Sequence, residues 1–287
     1  MKLALFTHGG VRRIGLVERG EVVDLLSGNP RLPNDMVAIL EGGAETLEAV
    51  RLAAGRANRL ALNEVQLNAP ITRPRKFLGL GLSFKSSADE FRAKGVAIPE
   101  HQVWFNKQVT AINGPYDPVH MPRVSSELDY EGELALVIGK RIRHARTSDA
   151  EKIIAGFLVC NDFSVRDWQR RSPTATLGKS FDTHGPIGPW LTTFDEVDPS
   201  SLRIRTWVDG ELRQDGNTDD LLYTFGEMIA ELSTAFTLEP GDILATGSPT
   251  GAGQYMRPPT YLKTGQTVRV EIEGLGHIEN MIVDEPG

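Results

Sequence analysis

Cysteine occurs once, at Cys160, so no disulfide can close within the chain, which suits a reducing cytosol. Cys160 lies in the apolar run GFLVC, the setting of a buried structural thiol rather than a nucleophile. No apolar stretch approaches the roughly 20 residues that a membrane span needs. The apolar run in MKLALFTHGGVRR is too short for a signal peptide. A basic excess is also missing. The net charge is -7 over 287 residues, which leaves no electrostatic footprint for nucleic acid and argues against anionic membrane surfaces. The glycine-rich G-x-G-x-x-G and Walker A patterns are absent, as is the G-x-S-x-G elbow of serine hydrolases. What is present is an ordinary globular composition, 40% hydrophobic and 24% charged, of a size that fits a cytoplasmic enzyme.

Residues 1 to about 27 alternate in short runs, KLALF, RRIGLV and EVVDLL, with glycine-containing turns between them, and predict strands. Residues 35–54 predict one or two helices interrupted at Gly42-Gly43. NEVQLNAPITRPRK, with Pro70 and Pro74, reads as a linker. This divides the chain into a small N-terminal α+β domain, residues 1–70, and a larger domain, residues 71–287. In the larger part KFLGLGL predicts a strand, SSADEFRAKG a short helix ended by Gly95, and VWFNKQ another strand. Ser148 and Glu151 form a capping-box pattern and predict a helix over DAEKIIAGF. FLVCNDF, GPWLTT and RIRTWV predict strands, and Asp209-Gly210 predicts a type I′ hairpin. LLYTFGEMIAELSTAF has helical spacing, and DILATG, QTVRVEIEG and GHIENMIV predict the last strands. The fold class is α+β and β-rich.

One stretch conflicts with simple burial. LDYEGELALVIGK carries Asp129, Glu131 and Glu133 at alternate positions, then runs into apolar residues 134–138. In a strand the three acids share one face, which continues as Ala135 and Val137. Like charges on an inward face must take up protons or be desolvated at high cost. A divalent cation removes the conflict, and carboxylate oxygens suit Mg²⁺, Mn²⁺ or Ca²⁺. Glu131 and Glu133 offer two ligands, and Asp162, at the end of the apolar run before NDFSVRDW, is the candidate third. A solvated face of an antiparallel sheet shows the same alternation and stands as the other reading. Further on, Arg166, Asp167, Gln169, Arg170 and Arg171 precede a Gly/Pro-rich loop with Lys179, Asp182 and His184. Binding residues gather in such loops, although structural ion pairs explain the Arg and Asp residues equally, and a lone histidine such as His184 is more often hydrogen-bonded structure than a catalyst. ATGSPTGAG, residues 245–253, is either an anion-holding glycine loop or a plain turn.

In their order, GLGLSFKSSADE, FNKQVTAINGP, LDYEGELALVIGK, NDFSVRDWQ, GKSFDTHGPIGPW and LEPGDILATGSPTGAG resemble the fumarylacetoacetate hydrolase family, from about residue 76 onward. The resemblance implies a mixed β-roll, usually a homodimer, with Mg²⁺ or Mn²⁺ (Ca²⁺ as a further option) on Glu131, Glu133 and Asp162, and Asp129 at the edge of the site. It implies a small-molecule 2-oxo or dioxo acid as substrate. The leading expectation is hydrolysis of a C–C bond in a 2,4-dioxo acid, such as an acylpyruvate, through a metal-bound enolate. The alternatives are an oxaloacetate-type decarboxylase or tautomerase, a 2-hydroxyhepta-2,4-diene-1,7-dioate isomerase, and a non-catalytic cation-binding β-domain. Lys179, Glu90, Arg166 and Gln169 match catalytic positions, and Ser248, Lys107 and Asp182 are assigned to substrate binding. A lid is expected near residues 83–100. In the family this lid carries a His–Glu pair that activates water. Here Ser87 stands where the histidine is expected, and Ser83 where an asparagine is usual. Glu90 acting alone, His101 or His184 entering from elsewhere, chemistry without activated water with Lys179 handling protons, or a weak or lost activity are the ways to resolve this departure.

Overall fold

The alternating runs at the start of the chain become a meander. In the computed structural model, which describes all residues except Lys94 and Val96, and all their side chains except those of Glu90, Phe91 and Ala93, β1 (Lys2–His8), β2 (Val11–Glu18) and β3 (Glu21–Asp24) pair antiparallel. Helices α1 (Leu25–Gly28), α2 (Met36–Glu41) and α3 (Gly43–Ala54) follow, with the break at Gly42-Gly43 as predicted. β4 (Asn58–Ala61) returns to β3. Inside the stretch read as a linker, β5 (Gln66–Asn68) pairs with β1. Leu67 explains this, because it is buried with Ala4, Phe6 and Val22.

The next elements are β6 (Phe77–Gly81), α4 (Lys85–Ala93), β7 (Val103–Lys107), β8 (Ile112–Asn113), β9 (Val119–Met121) and β10 (Leu128–Asp129). Then come β11 (Gly132–Ile138), α5 (Ala150–Ile153), β12 (Ile154–Asn161), β13 (Ser164–Val165), α6 (Arg166–Gln169) and β14 (Gly185–Thr193). The chain continues with β15 (Arg203–Val208), β16 (Glu211–Asn217), α7 (Phe225–Ala235), β17 (Ile243–Ala245), β18 (Thr267–Ile272) and β19 (Gly276–Asp284). The main sheet has the order β4-β3-β2-β1-β14-β12-β11-β17-β6-β7, and a second sheet the order β16-β15-β18-β19-β9. Most pairs are antiparallel, while β17 runs parallel to β6 and β19 to β9, so the roll is mixed.

β11 is the strand between two cores. Leu134, Leu136 and Ile138 pack with Ile204 and Val270 of the second sheet and Met228 of α7. Ala135 and Val137 pack with Cys160 and with Ile39, Leu40 and Val50 of α2 and α3. Cover on both faces is why the strand is apolar at every position after Glu133. β1 pairs with β14, and Leu3 and Leu5 share a core with Ala135 and Ile187. The first 70 residues therefore extend the same sheet.

Local signals held where they were stereochemical. Asp209 and Gly210 both have positive φ, 50° and 80°, as a type I′ hairpin between β15 and β16 requires. The capping box at Ser148 does not form. Asp149 takes the cap position without a side-chain bond and pairs with Arg146 instead. Only Ala150–Ile153 is helical, because Ile154 and Phe157 enter the sheet core as part of β12. The helix in LLYTFGEMIAELSTAF starts at Phe225, where Thr224 and Glu227 close a capping box. Leu221 instead bridges to Phe84 at the root of α4. Among the described residues, no helix is long and apolar enough to cross a membrane.

Candidate active site

The acidic strand and the end of β12 are tied together by backbone. The Asp162 N–H donates to the Glu131 carbonyl at 2.8 Å, and the Glu131 N–H donates to Asn161 Oδ1 at 2.9 Å. With Glu133 paired to Cys160 across the ladder, Asp162 emerges beside both glutamates. One carboxylate oxygen each from Glu131, Glu133 and Asp162 lies within 4.8 Å of the others. Three buried cations surround them. Lys107 Nζ donates to Asp162 Oδ1 at 2.6 Å and to the Phe163 carbonyl at 3.2 Å. Lys179 Nζ donates to Asp162 Oδ2 at 2.5 Å and to Glu131. The loop carrying Lys179 returns to the site because the Val165 N–H is bonded to the Gly178 carbonyl at 2.8 Å. Arg166 Nη2 donates to Glu131 at 2.8 Å, Nη1 to Gln169 Oε1 at 2.9 Å, and Nε to Asp129 at 2.9 Å.

These contacts separate the two glutamates electrostatically. Burial works to raise the Glu131 carboxyl, but Arg166 and Lys179 overcome it and hold the pKa at about 2. Glu133 accepts the Gly247 N–H at 2.7 Å. Burial, then the Asp162 and Glu131 carboxylates, push it well above the ordinary carboxylate range. Burial disfavours the Lys179 ammonium, yet Asp162 and Glu131 hold its pKa above the usual value. Four carboxylates, counting Asp129, thus face three cations, Lys107, Arg166 and Lys179. One acid stays uncompensated. An all-oxygen donor set with that residual charge fits a hard divalent ion, Mg²⁺ or Mn²⁺.

A cavity of about 440 Å³ opens over the cluster. Its lining brings together Glu131, Glu133, Arg166, Gln169, Lys179 and Ser248, and α4 contributes Ser87. Gly247, beside Ser248, has φ 89°, and a Cβ there would lie 1.9 Å from Ser83 Oγ. Ser83 donates to the Thr246 carbonyl at 2.5 Å, so it ties the root of α4 to this loop.

Other expected residues lie elsewhere. Lys107 is buried beneath Asp162 and outside the cavity lining, where it donates to that carboxylate. Asp182 is exposed and outside the lining. Its neighbours Phe181 and His184 turn inward to stack at 5.5 Å, with Thr183 at φ 70° between them, and this turns Asp182 outward. His184 is core: it bonds the His120 carbonyl at 2.8 Å, and burial lowers its pKa to about 3. His101 is exposed and also outside the lining. The side chain of Glu90 lies outside the described residues. Sequence reasoning missed Trp104, Phe105, Gln254 and Tyr255, which also line the cavity. Only the alternation of VWFNK hinted at the first two.

The family model for the fumarylacetoacetate (FAA) hydrolase C-terminal domain matches residues 76–283, the span that carries every one of these site residues. The chain belongs to the fumarylacetoacetate hydrolase family. Among curated relatives, it is 44% identical over 268 residues to the Bos taurus protein named oxaloacetate tautomerase FAHD2B, mitochondrial, covering 92% of this chain and 84% of that one. Among solved structures, a fumarylacetoacetate hydrolase from psychrophilic Exiguobacterium antarcticum superposes with TM-score 0.87 at 34% identity, covering 99% of this chain and 100% of that one. Maleylpyruvate hydrolase from Sphingobium sp. SYK-6, in complex with manganese (II) ion and pyruvate, gives 0.82 at 31% identity, covering 100% of both chains. Family membership makes the chain an enzyme of the acylpyruvate-processing kind, and the acidic cluster of Glu131, Glu133 and Asp162 is of a kind that could hold a divalent metal. The bovine relative is named as mitochondrial, so the cytoplasm suggested by the single cysteine has no support from it.

Proposed function

We propose that the chain interconverts the enol and keto forms of a small 2-oxo dicarboxylic acid of the oxaloacetate type. The carrying observation is the cavity wall. Among the described residues it contains no histidine, and it includes Ser87, which stands where the family resemblance leads us to expect the water-activating histidine. Hydrolysis of a C–C bond needs an activated water, whereas tautomerisation needs only proton transfer. The bovine relative's name points the same way.

Glu131, Glu133 and Asp162 would hold Mg²⁺ or Mn²⁺. When bound, that ion supplies Lewis acidity toward the 2-oxo oxygen. The chain's own groups do the rest. Lys179, charged through its pairs with Glu131 and Asp162, holds a proton at the cavity floor. It donates that proton to C3 of the enol, and the enol hydroxyl proton returns to it, so the substrate's mass is unchanged. Arg166 occupies Gln169 Oε1, which leaves the Gln169 amide N–H groups for substrate oxygens. Ser248 offers a hydroxyl from the facing loop, and Trp104 and Phe105 keep bulk water from the reacting carbon.

The test follows the enol absorbance of oxaloacetate and CO₂ release together, with and without Mn²⁺, with acetylpyruvate in parallel. The expected result is metal-dependent loss of enol, no CO₂ above the free-metal background and stable acetylpyruvate. Metal-dependent loss of acetylpyruvate would instead favour the hydrolase first expected, a reading that the resemblance to maleylpyruvate hydrolase supports. The same proposal carries a homodimer, to be read by sedimentation as twice the 31.5 kDa chain.

A further inference from the structure

The third acid of the alternating ladder has no place among the metal ligands, although it is fully buried. Its two oxygens are saturated by protein donors. Asp129 Oδ1 accepts the Tyr130 N–H at 3.0 Å and the Gly253 N–H at 2.8 Å. Oδ2 accepts the Gln254 N–H at 3.0 Å and Arg166 Nε at 2.9 Å. Two donors per oxygen use the carboxylate's full capacity. The single strand face expected for the three acids is broken as well: Asp129 ends β10, Glu133 lies in β11, and Glu131 sits between the two strands.

Three of the four donors come from two distant segments that both face the cavity. Arg166 lies on α6 and fixes Gln169. Gln254 and Tyr255 belong to the turn Gly253–Tyr255. Tyr130 adds a tether, its hydroxyl donating to the Gly251 carbonyl at 2.9 Å. With its amide oxygen turned to the guanidinium, Gln254 accepts from Arg166 Nη1 at 3.0 Å and closes the ring of contacts. Gly253 allows the approach, since a Cβ there would lie 2.0 Å from the Thr260 carbonyl and 2.8 Å from Asp129 Oδ1.

We propose that Asp129 is a positioning residue, which locks α6 and the Gly253–Tyr255 turn into one wall and thereby sets how tightly the cavity grips a 2-oxo acid. This rests on the functional reading above, that the cavity takes such an acid. Asp129 touches neither substrate nor ion. It acts through Arg166, Gln169 and the turn. Asp129→Asn keeps the shape but turns one acceptor oxygen into a donor, so two of the four contacts fail.

The test measures oxalate binding to the Mn²⁺-loaded protein by calorimetry, and Mn²⁺ binding alone. For Asp129→Asn the expected result is oxalate affinity lower by about tenfold or more, as loosened walls misorient a ligand, with Mn²⁺ affinity within about threefold of wild type because the triad is intact. In that background Gln169→Ala adds little, whereas in the wild type it weakens oxalate clearly. A purely structural lesion would leave the Gln169→Ala effect the same in both. Unchanged oxalate affinity, a parallel loss of Mn²⁺, or an undiminished Gln169→Ala effect overturns the proposal. If Asp129→Asn does not fold, Gly253→Ala displaces the turn and crowds Asp129 Oδ1 while leaving Arg166 Nε on Oδ2, with the same expected and overturning results. A wild-type protein that binds Mn²⁺ but no oxalate overturns the functional reading itself, and the proposal with it.

Discussion

Replacing Lys179 with methionine should strengthen metal binding while it destroys turnover. Lys179 Nζ contacts two of the three triad carboxylates, Asp162 at 2.5 Å and Glu131. Any divalent ion sharing those oxygens is repelled by this ammonium. Two unit charges 4 Å apart interact at about 4 kcal/mol at an effective dielectric of 20. Relaxation and solvent remove much of that, yet a third of it, about 1.4 kcal/mol, is a tenfold change in affinity. Methionine keeps an unbranched apolar stem, one atom shorter, and removes the ammonium that lies 4.7 Å from the Phe105 ring. The variant is therefore expected to bind Mn²⁺ about tenfold more tightly, or better, by calorimetry. Its turnover of oxaloacetate enol should fall by about 10²-fold or more, as loss of a charged group at the reacting centre does. The opposite signs are the diagnostic. A folding lesion lowers both quantities. Weaker Mn²⁺ binding would refute the competition between ammonium and ion, and an unchanged rate would remove Lys179 from the chemistry.

Asp162→Ala should abolish Mn²⁺ binding, because it removes one of the three carboxylates proposed to hold the ion; affinity within tenfold of wild type would rule Asp162 out as a ligand. Gly247→Ala forces a Cβ to 1.9 Å from Ser83 Oγ and 2.7 Å from the Leu80 carbonyl, at φ 89°, and should cost about 3 kcal/mol. Gly20→Ala, with φ 82° and open space around it, serves as the strain-only control at about 1 kcal/mol, and equal urea midpoints for the two would contradict the steric account. His184 gives a pH signature. Its pKa is lowered by burial from 6.5 to about 3, so below pH 6.5 the unfolded chain takes a proton that the folded chain refuses. Stability then falls as pH drops, by about 1.4 kcal/mol per unit from this group, until the folded form protonates too. His184→Gln should flatten the wild-type slope between pH 6 and 5, and identical slopes would show that the ring is not held neutral.

What could be read in the sequence was whatever depends on local stereochemistry or on a conflict of charge. Asp209-Gly210 announced its turn, and Gly42-Gly43 its helix break. The ladder Asp129, Glu131, Glu133 announced a buried site because like charges beside an apolar run demand compensation. Glu131, Glu133 and Asp162 do converge. What stayed hidden depends on long-range contacts. Nothing in LDYE distinguishes the acid that faces the cavity from the one saturated by Gly253, Gln254 and Arg166. Lys107 looks like any strand-end lysine until Asp162 covers it. Asp182 sits in a stretch dense with functional side chains, yet a turn between two packed rings sends it outward. DAEKIIAGF has a helical start signal, but the sheet core claims its apolar half.

The order of pairing also dictates how this chain must be born. β1 is made long before its partner, since Leu3 pairs with Leu191 in β14. β17 inserts between β11 and β6, and the Gly247 N–H that caps Glu133 arrives 114 residues after that glutamate. A nascent chain with the acidic strand already outside the ribosome therefore carries an open sheet edge and a set of mutually repelling acids that await Lys179 and the Gly247 loop. Sequence-distant pairing of this kind folds slowly and leaves unpaired edges open to association. The acidic cluster is thus one of the last features to close, and a truncation anywhere before residue 247 should yield an aggregating chain rather than a smaller folded one.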